Sequence, residues 1–522
     1  MLRYGAKQMS FYGSLFEKIP QNHLLRRIAG AVDFSFINEM LAKNYCVNLG
    51  RPAKEPELMM KLLLLQELYT LSDVRVIEES SYNLAHLWFL GLNPEDVLPD
   101  PSLLAKFRTQ RLEETQLDDI ITEIVRQCVE KGIIKGEGLS VDTTHSEANA
   151  TKKIPERLMK HLAKQIFKGL ETDVQGVPET VNTDIPNYKQ IEDHKVAKAV
   201  MKEYLEEVIE QAAPLAGSQT QAAIQEAREI LDDEKFILQK GVRSLADKDA
   251  RVGSKSKTSQ FFGYKTEYAM TTDERIITAV SVHSGEYVDG KDFSTLADRT
   301  LQSGMTVKEV YGDKAYFRKD ILEKIEKMQA ESYIPVSASV YKIDEELFAY
   351  NKDSDQWFCF MGNFTMSKKR AKRMARGKPE EIYEYLFAKE QCVDCPHRER
   401  CMGKSKSKAR MLRVALTAPI FYEHSQRQKQ PEFLEKYKKR AAHEWKNGEL
   451  KRFHGMDRAK GWGLRSMSFQ AKLTAIAVNL KRIAAIAEEN RQNNALFLLF
   501  LAKKSGIGQN SIFKILLSPV FA

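Results

Sequence analysis

Gly138-Leu139-Ser140-Val141-Asp142-Thr143-Thr144-His145 is the stretch on which the reading of this chain turns: an apolar run that ends on a carboxylate. A second stretch repeats the pattern, since Val307-Lys308-Glu309-Val310-Tyr311-Gly312-Asp313 ends on Asp313 and continues into Lys314-Ala315-Tyr316. Both read as short buried strands that deliver an acid at their exits.

Between and beyond them the periodicity alternates. Gln260 to Met270 and Arg275 to Val282 read as two further strands, joined by the turn Thr271-Thr272-Asp273-Glu274. A helix over 291–303, the strand ending in Asp313, a helix over 318–329 and a strand at Ser332-Tyr333-Ile334-Pro335-Val336 follow. The sum is β-β-β-α-β-α-β, an α/β arrangement with a mixed sheet flanked by helices. This is the order of an RNase H-like fold, which pairs the first and fourth strands mid-sheet. Asp142 and Asp313 then become neighbours although 171 positions (313 − 142) separate them.

A third acid has its own setting. Tyr437, Arg440, Glu444 and Lys451 form the pattern Y-x2-R-x3-E-x6-K, with offsets of 3, 7 and 14 from the tyrosine. At about 100° per residue all four fall within roughly 60° of one helix face. A metal-binding glutamate would then be flanked by phosphate-binding cations. Asn447-Gly448 inside the pattern is a pair able to end a helix one turn early.

With these motifs the chain resembles the insertion-sequence transposases of the DDE superfamily, which have an RNase H-like catalytic core. The four-residue pattern is the signature around the third acid in one large bacterial group, and all four positions match. Asp142-Thr143-Thr144 and Gly312-Asp313-Lys314-Ala315-Tyr316 carry the rest of a resemblance covering most of residues 1–485. The resemblance implies that Asp142, Asp313 and Glu444 hold two Mg²⁺ or Mn²⁺ ions, about 4 Å apart. It implies that Arg440 and Lys451 contact backbone phosphates and that Tyr437 positions the DNA near the cut. The expected activity is binding of terminal inverted repeats, hydrolysis at the DNA ends and joining of the 3′ hydroxyls to target DNA, by a homodimer in a synaptic complex. Two rivals remain: a domesticated DNA-binding protein that no longer cuts, and an RNase H-like nuclease or resolvase without strand transfer. Intact acids argue against the first and large insertions against the second.

Other polar residues read as structural. Asp289 and Asp292 suit a turn and a helix cap after Gly285. His145 and His443 are not needed as general bases in two-metal hydrolysis, and His443 points roughly 100° round the helix from Glu444, which suits a packing or DNA-backbone role.

Composition fits a polyanionic partner without requiring one: 522 residues, enough for two to four domains, carry a formal charge of +9. The charge is concentrated. Lys368, Lys369, Arg370, Lys372, Arg373, Arg376 and Lys378 fall within eleven positions without an acid, and Lys404, Lys406, Lys408, Arg410 and Arg413 follow. Lys369, Arg370 and Arg373 are the expected DNA contacts of this stripe. Beside it Cys392, Cys395 and Cys401 give C-x2-C-x5-C, and Cys359 lies 33 residues earlier. Four thiolates of this spacing predict a structural zinc ion, with His397 as a substitute ligand. Cys46 and Cys128 read as core residues. No secretory signal is evident and the longest apolar run, Ala495 to Ala502, is eight residues, short of the roughly 20 of a membrane span. A soluble, cytoplasmic, nucleoid-associated protein is expected.

The organisation follows. Residues 1–135 read as a helical DNA-binding or dimerisation domain, with an apolar core helix over Lys54 to Leu65 and a capped helix start at Pro99-Asp100-Pro101-Ser102 that projects Arg108 and Arg111 to one side. The catalytic core comprises 136–150, 251–340 and 416–486, closed by a helix over 465–486 with a Leu473, Ile476, Ala477, Leu480 stripe. Residues 151–250 read as a helical arm rather than a globular unit, 341–415 as the cysteine-containing basic insertion, and 487–522 as a tail.

Overall fold

The computed structural model describes residues 10–46, 52–233, 236, 241–255, 258–375 and 378–504. Its architecture is mixed α/β. The stretch ending in Asp142 forms β1 (Gly138–Glu147), at the centre of a six-stranded sheet with β2 (Arg251–Ser254), β3 (Gln260–Thr271), β4 (Ile277–Ser284), β5 (Glu309–Tyr311) and β6 (Glu331–Tyr333). β3 runs antiparallel beside β1 with Asp142 opposite Tyr268, and β4 follows on the far side of β3. β5 runs parallel on the other side of β1, with Ser140 opposite Tyr311, and β6 runs parallel to β5. The short β2, which pairs the start of β3, is the one strand that the sequence pattern did not single out.

Side-chain alternation gives this sheet two buried faces. Leu139, Val141, Ala269 and Val310 pack on one face against Phe293, Leu296 and Ala297 of α11 (Phe293–Gln302) and Ile321 and Ile325 of α12 (Lys319–Lys327). On the other, Tyr268, Met270, Ile277 and Val280 meet Leu473, Ile476, Ala477 and Leu480 of α18 (Gly463–Lys504). Asn479 fastens α18 to the sheet by a two-way amide bond with Ile277, 2.8 Å to its N–H and 2.7 Å to its carbonyl. The helix expected over 465–486 thus runs on past the boundary drawn for a tail, and 505–522 lie outside the described residues.

The same α18 stripe is continuous with the core of the N-terminal helices, from α1 (Leu24–Ala31) through α3 (Pro56–Tyr69) to α7 (Glu114–Glu130). In α3, Met59, Met60 and Leu62 to Leu65 are all buried, as their unbroken apolar run demands. Arg108 and Arg111, expected to project to one side, are consumed internally. Arg108 pairs with Asp73 and Gln66, and Arg111 donates to the Asn44 carbonyl at 2.6 Å. Cys128 is buried, but Cys46 is exposed, because α2 (Phe36–Ala42) ends before it.

The first insertion is a globular unit, not an arm. α8 (Pro155–Asp173), α9 (His194–Ala212) and α10 (Ser218–Leu231) enclose a core of their own that includes Leu158, Leu162, Ile166, Met201, Leu205, Val208 and Ile224. Their apolar residues recur at three- and four-residue spacing on each helix, and a charged exterior hid this in the composition. The second insertion is largely β. The hairpin β7 (Phe348–Asn351) and β8 (Gln356–Cys359) and the sheet of β9 (Thr365–Ala375), β10 (Lys378–Phe387) and β11 (Met411–Ala415) pack round Trp357, Tyr385, Leu412 and Val414. Two short helices, α13 (Lys389–Val393) and α14 (Arg398–Met402), carry the cysteine motif. The chain returns to the core through α15 (Ala418–Gln428), α16 (Pro431–Tyr437) and α17 (Ala442–His454). No described helix is long and apolar enough to cross a membrane.

Candidate active site

Register brings the first two acids together. Ser140 and Tyr311 are partners in the parallel β1–β5 pair, so Asp142 and Asp313, each two residues further on, stand at the same level. Asp313 lies just past the end of β5, but β1 runs on to Glu147, so Asp142 sits within its strand and not at the exit expected for it. The Asp142 side chain is 15% exposed and receives the Thr143 N–H at 2.9 Å. Burial pushes its carboxyl up to about 6, with Asp313 and Asp289 adding like charge and Arg440 opposing. Asp313 caps the turn that follows it by accepting the Ala315 N–H at 2.8 Å.

The signature residues arrive from two helices, not one. α16 ends at Tyr437, a 3-10 turn spans Lys438–Ala441 and carries Arg440, and α17 carries Glu444 and Lys451. The 3-10 turn abolishes the single 3.6-residue stripe that the spacing suggested. Asn447-Gly448, in contrast, does not end the helix. α17 runs on to His454 and stops at Gly455, whose φ of +65° is the left-handed C-cap geometry.

Arg440 is the centre of this constellation. Its guanidinium lies 3.7 Å from Asp142 Oδ2 and 4.0 Å from Glu444 Oε1. Glu444 itself is 73% exposed, and Tyr437 stacks on Phe433 with ring centres 6.2 Å apart. Lys451 Nζ sits 3.4 Å from the ring nitrogens of His145. Burial, reinforced by Lys255, lowers Lys451 to about 8, and burial with the charges of Lys451, Lys255 and Lys265 lowers His145 to about 4. His145 therefore borders the site as a neutral ring. His443 is wholly buried against Tyr268, with burial driving it to about 3, in keeping with the packing role read from its helix position.

Among the described residues, no three Asp, Glu, His or Cys side chains are gathered closely enough to hold a metal ion. For the acids the reason is visible: Glu444 faces solvent with Arg440 between it and Asp142. Two residues outside the expected set complete the surroundings. Asn447 donates to Asp142 Oδ2 at 3.4 Å and accepts from the Tyr268 hydroxyl at 2.8 Å. Asp289, read as a turn residue, is held by Lys265 at 2.8 Å close enough to raise Asp142. Asp292 stands at the N-cap position of α11, but its side chain makes no capping bond to the helix backbone and pairs instead with Ser281 and His283.

The basic stripe is partly neutralised. Its strand β9 lies opposite an acidic β10, and Arg373 pairs with Glu380 at 2.9 Å, Arg370 with Glu381 at 3.6 Å and Lys368 with Asp355 at 2.5 Å. Glu384, opposite Lys369, pairs with Arg413 at 2.8 Å. The sequence run held no acid, but its hairpin partner supplies three. Arg376 and the Lys378 side chain lie outside the described residues. Cys359, Cys392, Cys395 and Cys401 line one small cavity beside Phe348 and Phe387, all as free cysteines, and Cys392 Sγ accepts the Arg410 N–H at 3.5 Å. His397 instead packs edge-on against Phe360.

Residues 13–110 match a family described as a transposase domain (DUF772), and residues 358–484 match a family described as a transposase DDE domain. Among solved structures, the chain is similar to a piggyBac transposase synaptic complex with hairpin DNA, at 8% identity over 90% of this chain and 75% of that one. The TM-score is 0.30. No curated protein matches.

Proposed function

We propose, from the premise that this chain belongs to the insertion-sequence transposases of the DDE superfamily, that it binds the terminal inverted repeats of its element, hydrolyses the phosphodiester at each end and joins the freed 3′ hydroxyls to target DNA. The observation that carries this is the placement of Asp142 and Asp313 at the same level on paired central strands, with Arg440 linking Asp142 to Glu444. The strand order, three antiparallel strands followed by two parallel ones on the opposite side of β1, supports an RNase H-like core.

Three carboxylates form a hard oxygen donor set of the kind that suits Mg²⁺ or Mn²⁺. Bound there, such ions lower the pKa of an attacking water and neutralise charge at the phosphate. The chain's own groups do the rest. Asp142 and Asp313 are fixed by backbone, whereas Glu444 is free to turn inward once Arg440 swings from the acids to a DNA phosphate. Lys451, beside neutral His145, supplies a second phosphate contact, and Tyr437 flanks the path of the strand. Lys369, Arg370 and Arg373 extend the DNA surface onto the second insertion. Two copies would be needed to bring both ends together.

In that insertion the four cysteines suit zinc by softness and by the C-x2-C-x5-C spacing and line one cavity, although, among the described residues, their thiols are not gathered closely enough to hold an ion as they stand. Zinc there would brace β7–β8 against α13 and α14.

A Mn²⁺-dependent cleavage and strand-transfer assay on labelled DNA ends tests the function, with Asp142→Ala, Asp313→Ala and Glu444→Ala alongside. End-specific nicking and joining by the wild type, absent from all three variants, is the expected result. Binding without cutting would favour a domesticated DNA-binding protein, and cutting that ignores the ends and never joins would favour a nuclease.

A further inference from the structure

Asn447 occupies a position that the signature skips. It lies three residues beyond Glu444, one turn along α17, and both ends of its amide are engaged: the oxygen accepts from Tyr268 and the nitrogen donates to Asp142. An amide held this way has one orientation, because the carboxylate only accepts and so takes the NH₂, leaving the amide oxygen to accept from the hydroxyl. Tyr268 is 1% exposed and sits directly opposite Asp142 in the β1–β3 register. His443, on the same helix as Asn447, packs its ring on Tyr268 at 4.9 Å between centroids. The chain Tyr268–Asn447–Asp142 therefore ties two sheet strands to the helix that bears Glu444.

We infer that Asn447 is a positioning residue for metal binding: through Tyr268 it fixes the orientation of the Asp142 carboxylate, whose other oxygen is held by the Thr143 N–H, and the rotation of α17, so that Asp142 keeps one orientation and Glu444 starts from the correct face. This rests on the proposed role of Asp142 as a metal ligand. The geometry favours it over a purely structural bond. The anchoring Tyr268 bond is short at 2.8 Å and Tyr268 faces Asp142 across the β1–β3 pair, so the Asn447 amide is held where its Nδ2 meets the carboxylate, 3.4 Å away. Outer partners of metal ligands are worth about 10- to 100-fold in metal affinity, because they hold the ligand in its binding orientation.

The experiment measures Mn²⁺ binding to the full chain directly, by the electron paramagnetic resonance signal of free Mn²⁺, for wild type, Asn447→Ala, Tyr268→Phe, the double variant and Asp142→Ala. Melting temperatures are recorded on the same samples without metal. Asn447→Ala and Tyr268→Phe are expected to weaken Mn²⁺ binding by about 10-fold each. The double variant should be no weaker than either alone, since both break one chain. Wild-type affinity in Asn447→Ala, or losses that multiply in the double variant, would overturn the inference. So would a Mn²⁺ loss in Tyr268→Phe that simply tracks a fall in melting temperature. Asp142→Ala separates the premise from the inference: if it binds Mn²⁺ as the wild type does, the metal-ligand reading fails on its own account.

Discussion

Arg440 stands 3.7 Å from Asp142 on the side from which Glu444 must come, so one cation now fills the space that the third acid is proposed to enter. Its charge opposes the burial that raises Asp142. Replacing it has two separable consequences. In Arg440→Ala the Asp142 carboxyl rises above its present value of about 6, and the pH below which Mn²⁺ binding fades moves upward. Cleavage falls by about 10²-fold, the scale of losing one charge-stabilising group at a reacting phosphate. A pH series of Mn²⁺ affinity checks the first, and an unmoved midpoint would show that Arg440 does not act on Asp142.

Asp142 also predicts how stability depends on pH. Its folded pKa of about 6 lies above the ordinary 3.8, so between these values the folded chain holds the proton more tightly than the unfolded one. Stability from this group is complete below pH 4 and is lost as pH rises through 6. Asp142→Asn removes the loss. Without metal, the variant should match the wild type near pH 4 and exceed it near pH 8 by about 2–3 kcal/mol, at roughly 1.4 kcal/mol per unit. Chemical denaturation with a chelator present, at both pH values, measures the difference.

Strands were legible where one pattern decided them: the apolar runs into Asp142 and Asp313 fixed the two central strands, and the α/β alternation fixed their neighbours. What escaped depended on partners distant in sequence. The acids that neutralise Arg370 and Arg373 lie on β10, and no run of eleven residues can reveal what the adjacent strand carries. Arg108 and Arg111 looked available because Asp73 and the Asn44 carbonyl are far away in sequence. The break at Lys438–Ala441 holds no proline or glycine, so helical spacing alone ran through it. Asn447 read as a helix breaker because its partners, Tyr268 and Asp142, lie 179 and 305 positions away.

The ion pairs of β9 and β10 make a prediction about DNA. If the basic strand touches phosphates, Glu380, Glu381 and Glu384 hold it back. Changing all three to Gln should tighten non-specific binding and steepen the dependence of log K on log salt by about 0.9 per cation released. Lys369→Ala should flatten that slope by about 1, and Arg373→Ala by less, because Glu380 already balances it. Salt titrations of duplex binding decide it; an unchanged slope in the triple Gln variant would remove this strand from the DNA surface.

The largely apolar join between the N-terminal helices and the core includes a buried ionic group. Lys472 of α18 meets Asp118 of α7 at 2.8 Å, with 4% and 8% of their side chains exposed, and Arg299 of α11 approaches the same carboxylate oxygen at 3.2 Å. Burial raises Asp118 and the cation at Lys472 opposes it, so each charge is tolerated only because the other is present. Asp118→Ala would leave Lys472 and Arg299 in a dry interface and should cost about 3–5 kcal/mol. Replacing the pair together, Asp118→Leu with Lys472→Met, should cost far less, because both desolvated charges go and apolar volume stays. Denaturant unfolding of the two variants provides the comparison. If the double variant is as unstable as the single, the network holds α7 to α18 by direction rather than by charge balance.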